Sequence, residues 1–270
     1  MNSIKDLAKI IQRVLKSDRY VFVVCSGITG EGKSCFTTKL AQETAKLTGT
    51  PFSYDDNLTF SRKELKEYID GDKDGKGQKP ERSCLVADEL ISMFFKRNWY
   101  DSAQIDGIEL LNKCRDRHLL ITGNIPDFWD LDKGVYSAIT FWVHIRKRGI
   151  AWVFKQDDNP FTIDKWNRKD NQKIYYRDKT PYKCRGFVTE IMYSDWTPED
   201  KEKYYSVRNE KRKFIDRNVK KYRDPKYMIQ RNRLVRFIVD NKLADYKAIA
   251  KVLECNQKNI YHIVNIQAVA

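Results

Sequence analysis

The chain has 270 residues, 41% hydrophobic and 13% aromatic, enough to fill the core of one α/β domain with a smaller appendage. No apolar run reaches the ~18–20 residues of a membrane-spanning helix and no secretory apolar segment opens the chain, so neither a span nor a secretion signal is read and a cytoplasmic location is expected. The net charge of +14 is uneven: residues 1–150 hold 24 Lys and Arg against 21 Asp and Glu, whereas residues 151–270 hold 27 against 16.

A helix is predicted over 3–17, because Ser3 and Asp6 read as a cap and Ile4, Leu7, Ala8, Ile11 and Leu15 share one helical face. Tyr20 to Cys25 is an apolar, β-branched run suited to a strand covered on both faces. Gly27, Ile28, Thr29, Gly30, Glu31, Gly32, Lys33 and Ser34 then spell G-x-x-x-x-G-K-S, and Cys35 onward continues as a helix towards Ala45. Glycines at these places let backbone amides close around phosphate oxygens, the lysine reaches the β- and γ-phosphates, and the serine hydroxyl can hold Mg²⁺. Lying between strand and helix, the loop would offer its phosphates a helix N-terminus. ATP and Mg²⁺ are the expected ligands, with residues Gly27 through Cys35 around the nucleotide.

Residues 51–60 are read as a short strand, and Ser61 with Glu64 as the capping box of a helix over 61–69. Asp70 to Glu81 is polar and Gly-rich, hence a loop. Cys84 to Glu89 is an apolar strand ending in two carboxylates. Asp88 is expected at the metal and Glu89 as the base that polarises the attacking water. The same pair could instead open a solvated loop or cap the next helix. A helix over 103–117 leads into a strand over 118–123, where Thr122 or Asn124 could sense the γ-phosphate; Gly123, Asn124 and Pro126 could equally just end the strand. Residues 139–155 read as a hairpin around the basic turn Arg146-Lys147-Arg148-Gly149.

From 156 to about 200 the pattern loosens, with one strand near Gly186–Tyr193. Thr197-Pro198 then starts a basic helix towards Val219, which Asp224-Pro225 ends. Three further helices are predicted, over 231–241, 245–253 and 257–265. The spacing of Ile249, Ala250, Leu253, Cys255, Ile260 and Ile263 fits a helix-turn-helix whose Gln257, Lys258, Asn259, Tyr261 and His262 would face a groove. Glu254 stands where such turns usually carry Gly, and a bundle for protein contacts gives the same pattern. The six cysteines show no C-x-x-C pair and read as reduced and buried.

With these segments placed, the chain resembles a P-loop ATPase of the additional-strand type, close to the HerA–FtsK group and its viral genome-packaging and Zot-like relatives. The residues that carry this are Gly27–Ser34, Leu85–Glu89 and Arg115 to Pro126, over about residues 18–155. The resemblance implies an α/β, RecA/FtsK-like fold with a mainly parallel sheet flanked by helices and a basic α-helical C-terminal region. It also implies a homo-oligomeric ring that moves double-stranded DNA, in contact with capsid or other assembly proteins, with an arginine of one subunit at its neighbour's γ-phosphate. Arg115, Arg117, Arg146 and Arg148 are candidates for that arginine, as is Arg97. The expected organisation is an ATPase domain over 1–155, a basic linker or helical region over 156–227, and a helix-turn-helix domain over 228–270. Two other classes fit in part. One is an ATP-switched DNA-binding regulator or partition protein. The other is a terminase large subunit, which would add a nuclease; Asp157, Asp158, Asp164 and Asp170 are the acids available for it.

Overall fold

Val21–Gly27 form β1, and all seven residues are buried, as an apolar β-branched run covered on both faces must be. The computed structural model describes residues 2–71, 77–90, 113–131, 133–159, 161–219, 226–253 and 255–265. Before β1, α1 (Ile4–Lys16) buries its apolar stripe, and Ser3 Oγ accepts from Asp6 N at its start. The stripe packs on α2 (Lys33–Thr48), the helix that follows the glycine loop.

The expected strand over 51–60 is mostly something else. Ser53 Oγ accepts from Asp56 N and starts one helical turn, α3 (Tyr54–Asn57), which leaves only Leu58–Thr59 for β2. Two acidic residues in that first turn suit the helix dipole better than a strand edge. In α4 (Arg62–Asp70) Ser61 caps as expected, while the Glu64 carboxylate reaches Phe60 N at 3.1 Å, one residue earlier than in the usual box. β3 is Cys84–Ala87 and β4 is Leu120–Ile125. β4 starts later than the sequence suggested because His118 turns at φ +51. Of the helix expected over 103–117, residues 103–112 lie outside those described, as do loop residues 72–76. A 3₁₀ turn (Phe128–Asp130) and α5 (Lys133–Tyr136) lead to the hairpin, β5 (Phe141–Lys147) and β6 (Ile150–Lys155).

β7 (Phe187–Met192) completes a seven-stranded sheet in the order β2-β3-β4-β1-β5-β6-β7. β2, β3, β4, β1 and β5 run parallel; β6 and β7 are antiparallel to their neighbours. β4 is the inserted strand: Val23 of β1 and Val86 of β3 both pair with Thr122. This is the α/β fold of P-loop proteins with an additional strand between the loop strand and the carboxylate strand. Because all three are parallel, their C-terminal ends bring residues 27–34, 88–89 and 124 to one edge.

The first compact unit runs from Met1 to Lys213, beyond the boundary read at 155, because β7 and the start of α7 (Pro198–Val219) pack as part of it. The loosened stretch also holds α6 (Arg168–Asp178), which apolar spacing could not reveal since none of its residues is buried. The second unit, Phe214–Ala270, contains α8 (Lys226–Asp240), α9 (Tyr246–Val252) and α10 (Gln257–Asn265) around Val235, Ile249, Ala250 and Ile260. Among the described residues no helix is long and apolar enough to cross a membrane.

Candidate nucleotide site

The loop after β1 is shaped by two glycines. Gly27 sits at φ +143, and a Cβ there would meet Ile145 O at 2.8 Å; Gly32 sits at φ +91 and precedes α2. No side chain caps α2, so the positive end of the helix stays available to an anion. Lys33, the first residue of α2, donates from Nζ to Gly27 O at 2.6 Å and Ile28 O at 2.9 Å, curled on its own loop. Burial holds its pKa below the usual lysine value.

Asp88, just past β3, is the hub. Its Oδ1 accepts from Ser34 Oγ at 2.6 Å and from Asn124 Nδ2 at 2.5 Å, and its Oδ2 accepts from Tyr204 Oη at 2.5 Å. Asn124 also reaches Ser34 Oγ at 3.4 Å, while its own Oδ1 is buried without a partner among the described residues. Thr122 is turned elsewhere and donates to Leu85 O, so Asn124 is the strand-tip residue that meets the carboxylate. Glu89 is paired with Arg212. Cys35, buried beside the loop, contacts Ser194 O at 3.8 Å, and its thiol is pushed up to about 12, chiefly by burial.

A cleft of about 630 Å³ lies over these groups, lined by Gly32, Lys33, Ser34, Asp88, Glu89 and Asn124, and roofed by Trp196, Tyr204, Tyr205, Arg208 and Arg212. The roof is α7. Tyr204, Arg208 and Arg212 are spaced by four, so they form one stripe along that helix. Sequence reading took α7 only as a basic helix; this spacing was the available signal. Trp196 Nε1 donates to Thr38 Oγ1 at 2.9 Å and Lys39 Nζ to Ser194 Oγ at 2.7 Å, tying residues 194–196 to α2. Burial, then the Asp88 charge, pushes the Tyr204 phenol above its usual pKa, so it is a neutral donor.

The arginine candidates separate. Arg148 lines the cleft: its N–H donates to Glu31 Oε2 at 2.9 Å and its guanidinium pairs with Asp195 at 2.8 Å. Arg146 is exposed and lies over Trp152 at 5.4 Å. Arg115 is exposed before β4, at the other end of that strand from the loop. Arg117 donates to Ile69 O and Lys79 O and braces backbone there. Arg97 lies outside the described residues.

The acids weighed for a nuclease serve local structure instead. Asp157 accepts from Asn159 N and Asn167 Nδ2, Asp158 pairs with Lys155, and Asp164 accepts from Trp166 N and Arg168 N. No group of three or more metal-ligating acids, histidines or cysteines occurs among the described residues, Asp170 included. In the second unit, Cys255 N donates to Ala250 O between α9 and α10, and Gln257, Lys258, Asn259 and Tyr261 are exposed; the His262 side chain lies outside the described residues.

No protein-family model matches the chain, and no curated protein matches it. Solved structures do. The N-terminal domain of zonular occludens toxin from Neisseria meningitidis aligns at 14% identity over 69% of this chain and 98% of that one, with a TM-score of 0.40. The genome-packaging NTPase of Sulfolobus turreted icosahedral virus 2, solved with ATP-gammaS, aligns at 13% identity over 51% and 92%, with a TM-score of 0.36. A DNA polymerase III gamma subunit-related protein from Thermotoga maritima aligns at 15% identity over 52% of this chain, with a TM-score of 0.35. This chain covers 45% of that Thermotoga chain, less than half its length.

Proposed function

We propose that this protein is a Mg²⁺-dependent ATPase that acts on double-stranded DNA as a ring-forming motor, for genome packaging or DNA translocation. One observation carries the reading: Ser34 of the loop helix and Asn124 of a strand end converge on the Asp88 carboxylate, beside an uncapped helix and Lys33. A structural ion pair needs no such cradle; a triphosphate does.

The donors suit magnesium. Ser34 Oγ and the Asp88 carboxylate are hard oxygens 2.6 Å apart, and the unpartnered Asn124 Oδ1 adds an acceptor for a metal-bound or attacking water. When bound, the ion neutralises charge shared by the β- and γ-phosphates. Lys33 Nζ leaves the Gly27 and Ile28 carbonyls for phosphate oxygens. Glu89 takes the proton of the attacking water, and for this its carboxylate must leave Arg212. Tyr204 and Arg212 thus act as a latch that holds both carboxylates before nucleotide binds. Of the described candidates, the exposed Arg115 is the one left to serve a neighbouring subunit's γ-phosphate, since Arg146 stands over Trp152 and Arg117 is held by backbone carbonyls.

The polymer is argued from charge. Residues 151–270 carry a net +11, and the exposed residues of α10 could enter a groove. Phosphate release with and without duplex DNA across a salt series tests this. A motor gives duplex-stimulated turnover with little sequence preference, lost steeply as salt rises; turnover that duplex leaves unchanged at low salt counts against it. The exposed face of α10 favours one second reading, an ATP-switched regulator or partition protein, which would instead footprint a single site and turn over slowly.

A further inference from the structure

A second cavity, of about 660 Å³, adjoins the first residues of the phosphate loop, Ser26 to Thr29. Six aromatic side chains, Trp129, Trp142, Trp152, Phe154, Trp166 and Tyr175, line it together with polar groups such as Asn171 and Gln172. Three of these indole N–H groups are used within the fold. Trp142 donates to Ser26 Oγ at 2.7 Å, Trp152 to Glu190 at 2.8 Å and Trp166 to Tyr136 O at 3.4 Å. Trp142 is stacked with Phe128 at 4.4 Å and Phe154 at 4.9 Å, and Trp152 and Trp166 are buried, so the rings a guest can reach are the half-buried Trp129 and the exposed Tyr175. Two exposed arginines stand on rings of the lining, Arg168 over Trp129 at 4.7 Å and Arg146 over Trp152 at 5.4 Å. The lining acid, Asp127, is occupied as the cap of the 3₁₀ turn, where it accepts from Trp129 N.

We propose that this cavity takes an unpaired base of single-stranded DNA, stacked against Trp129 and Tyr175 with its flanking phosphates against Arg146 and Arg168. Immobilised aromatic faces beside guanidinium groups suit a planar ring on an anionic chain. An apolar peptide would use the rings and leave both charges without a counterpart. The placement also couples the guest to the nucleotide site. Ser26 Oγ, which accepts from Trp142 and lies 3.2 Å from His144 Nδ1, belongs to the residue before Gly27, and the Gly27 carbonyl holds Lys33 Nζ. The inference goes beyond the reading of a duplex-directed ATPase by giving the ATPase unit a separate hold on an unpaired strand, and it rests on that reading only for this coupling.

Four of the six tryptophans line the cavity, so stacking is read directly as fluorescence quenching. The full chain, without nucleotide, is titrated with a short thymidine oligonucleotide, an abasic strand of equal length, and a duplex. The thymidine strand is expected to quench and to bind at least ~5-fold more tightly than the abasic one, the low end of one stacked base. Trp129→Leu should erase that preference. Arg168→Ala, a change at an exposed side chain, should weaken the thymidine strand several-fold with an unchanged far-ultraviolet spectrum. Equal binding of thymidine and abasic strands, or equal quenching by the duplex, overturns the proposal. Lys33→Ala separates the two readings: quenching that survives it supports the base site whatever becomes of hydrolysis, and lost quenching in a folded Lys33→Ala protein contradicts it.

Discussion

Tyr204→Phe removes one oxygen from the roof of the nucleotide cleft and little else. The ring keeps its neighbours, Trp196 at 4.6 Å and Tyr205 at 5.3 Å between centroids, so packing is preserved. What is lost is the 2.5 Å bond to Asp88 Oδ2, and hydrogen bonds to charged groups contribute about 1.5–3 kcal/mol. Without nucleotide the variant should therefore melt lower, by about 3–12 °C at the ~2–4 °C per kcal/mol of a domain this size. Binding of magnesium with a non-hydrolysable ATP analogue should move the other way. If the latch must open for the metal to reach Asp88, that same energy opposes binding in the parent chain. Removing it tightens the analogue by about 10- to 150-fold at ~1.4 kcal/mol per decade. Thermal melts and calorimetric titration with and without magnesium read both effects. Weaker magnesium-dependent binding in Tyr204→Phe would refute the latch and leave Tyr204 as a residue that orients the carboxylate.

Lys33→Ala should abolish phosphate release with an unchanged far-ultraviolet spectrum, since among the described residues its Nζ donates to carbonyls of its own loop; retained turnover removes it from the mechanism. Glu89→Gln should lower turnover by about 10²–10⁴-fold, the usual worth of a positioned base, while keeping analogue binding; unchanged turnover assigns the base elsewhere. Burial lowers the pKa of His144, so the folded chain resists a proton that the unfolded chain accepts. Stability should accordingly fall as pH drops through about 6.5, the unfolded histidine value, and level off below the folded value. His144→Gln should flatten this part of the denaturation profile, and an identical slope in the variant excludes His144 as its source.

What the sequence disclosed is what has local causes. The glycine loop, β1, the capped α1 and the β5–β6 hairpin are each set by neighbouring residues, and each forms where spacing placed it. Asp88 and Asn124 could be nominated because both end apolar strands, and parallel pairing through β4 then brings them together. Tyr204 was illegible, because its meeting with Asp88 spans 116 positions and depends on α7 crossing the sheet edge. The aromatic cavity was hidden for the same reason: Trp129, Trp142, Trp152 and Trp166 are spread along the chain, and only packing brings them round one space. α6 escaped notice because it is held by its ends and by Asn171, not by an apolar stripe.

The most direct test of the account is phosphate release by the full chain with ATP, magnesium and saturating duplex, measured beside Lys33→Ala. The account predicts turnover that requires magnesium, rises with duplex and vanishes in the variant. Release that is absent under every condition, or equal in the two proteins, would contradict it.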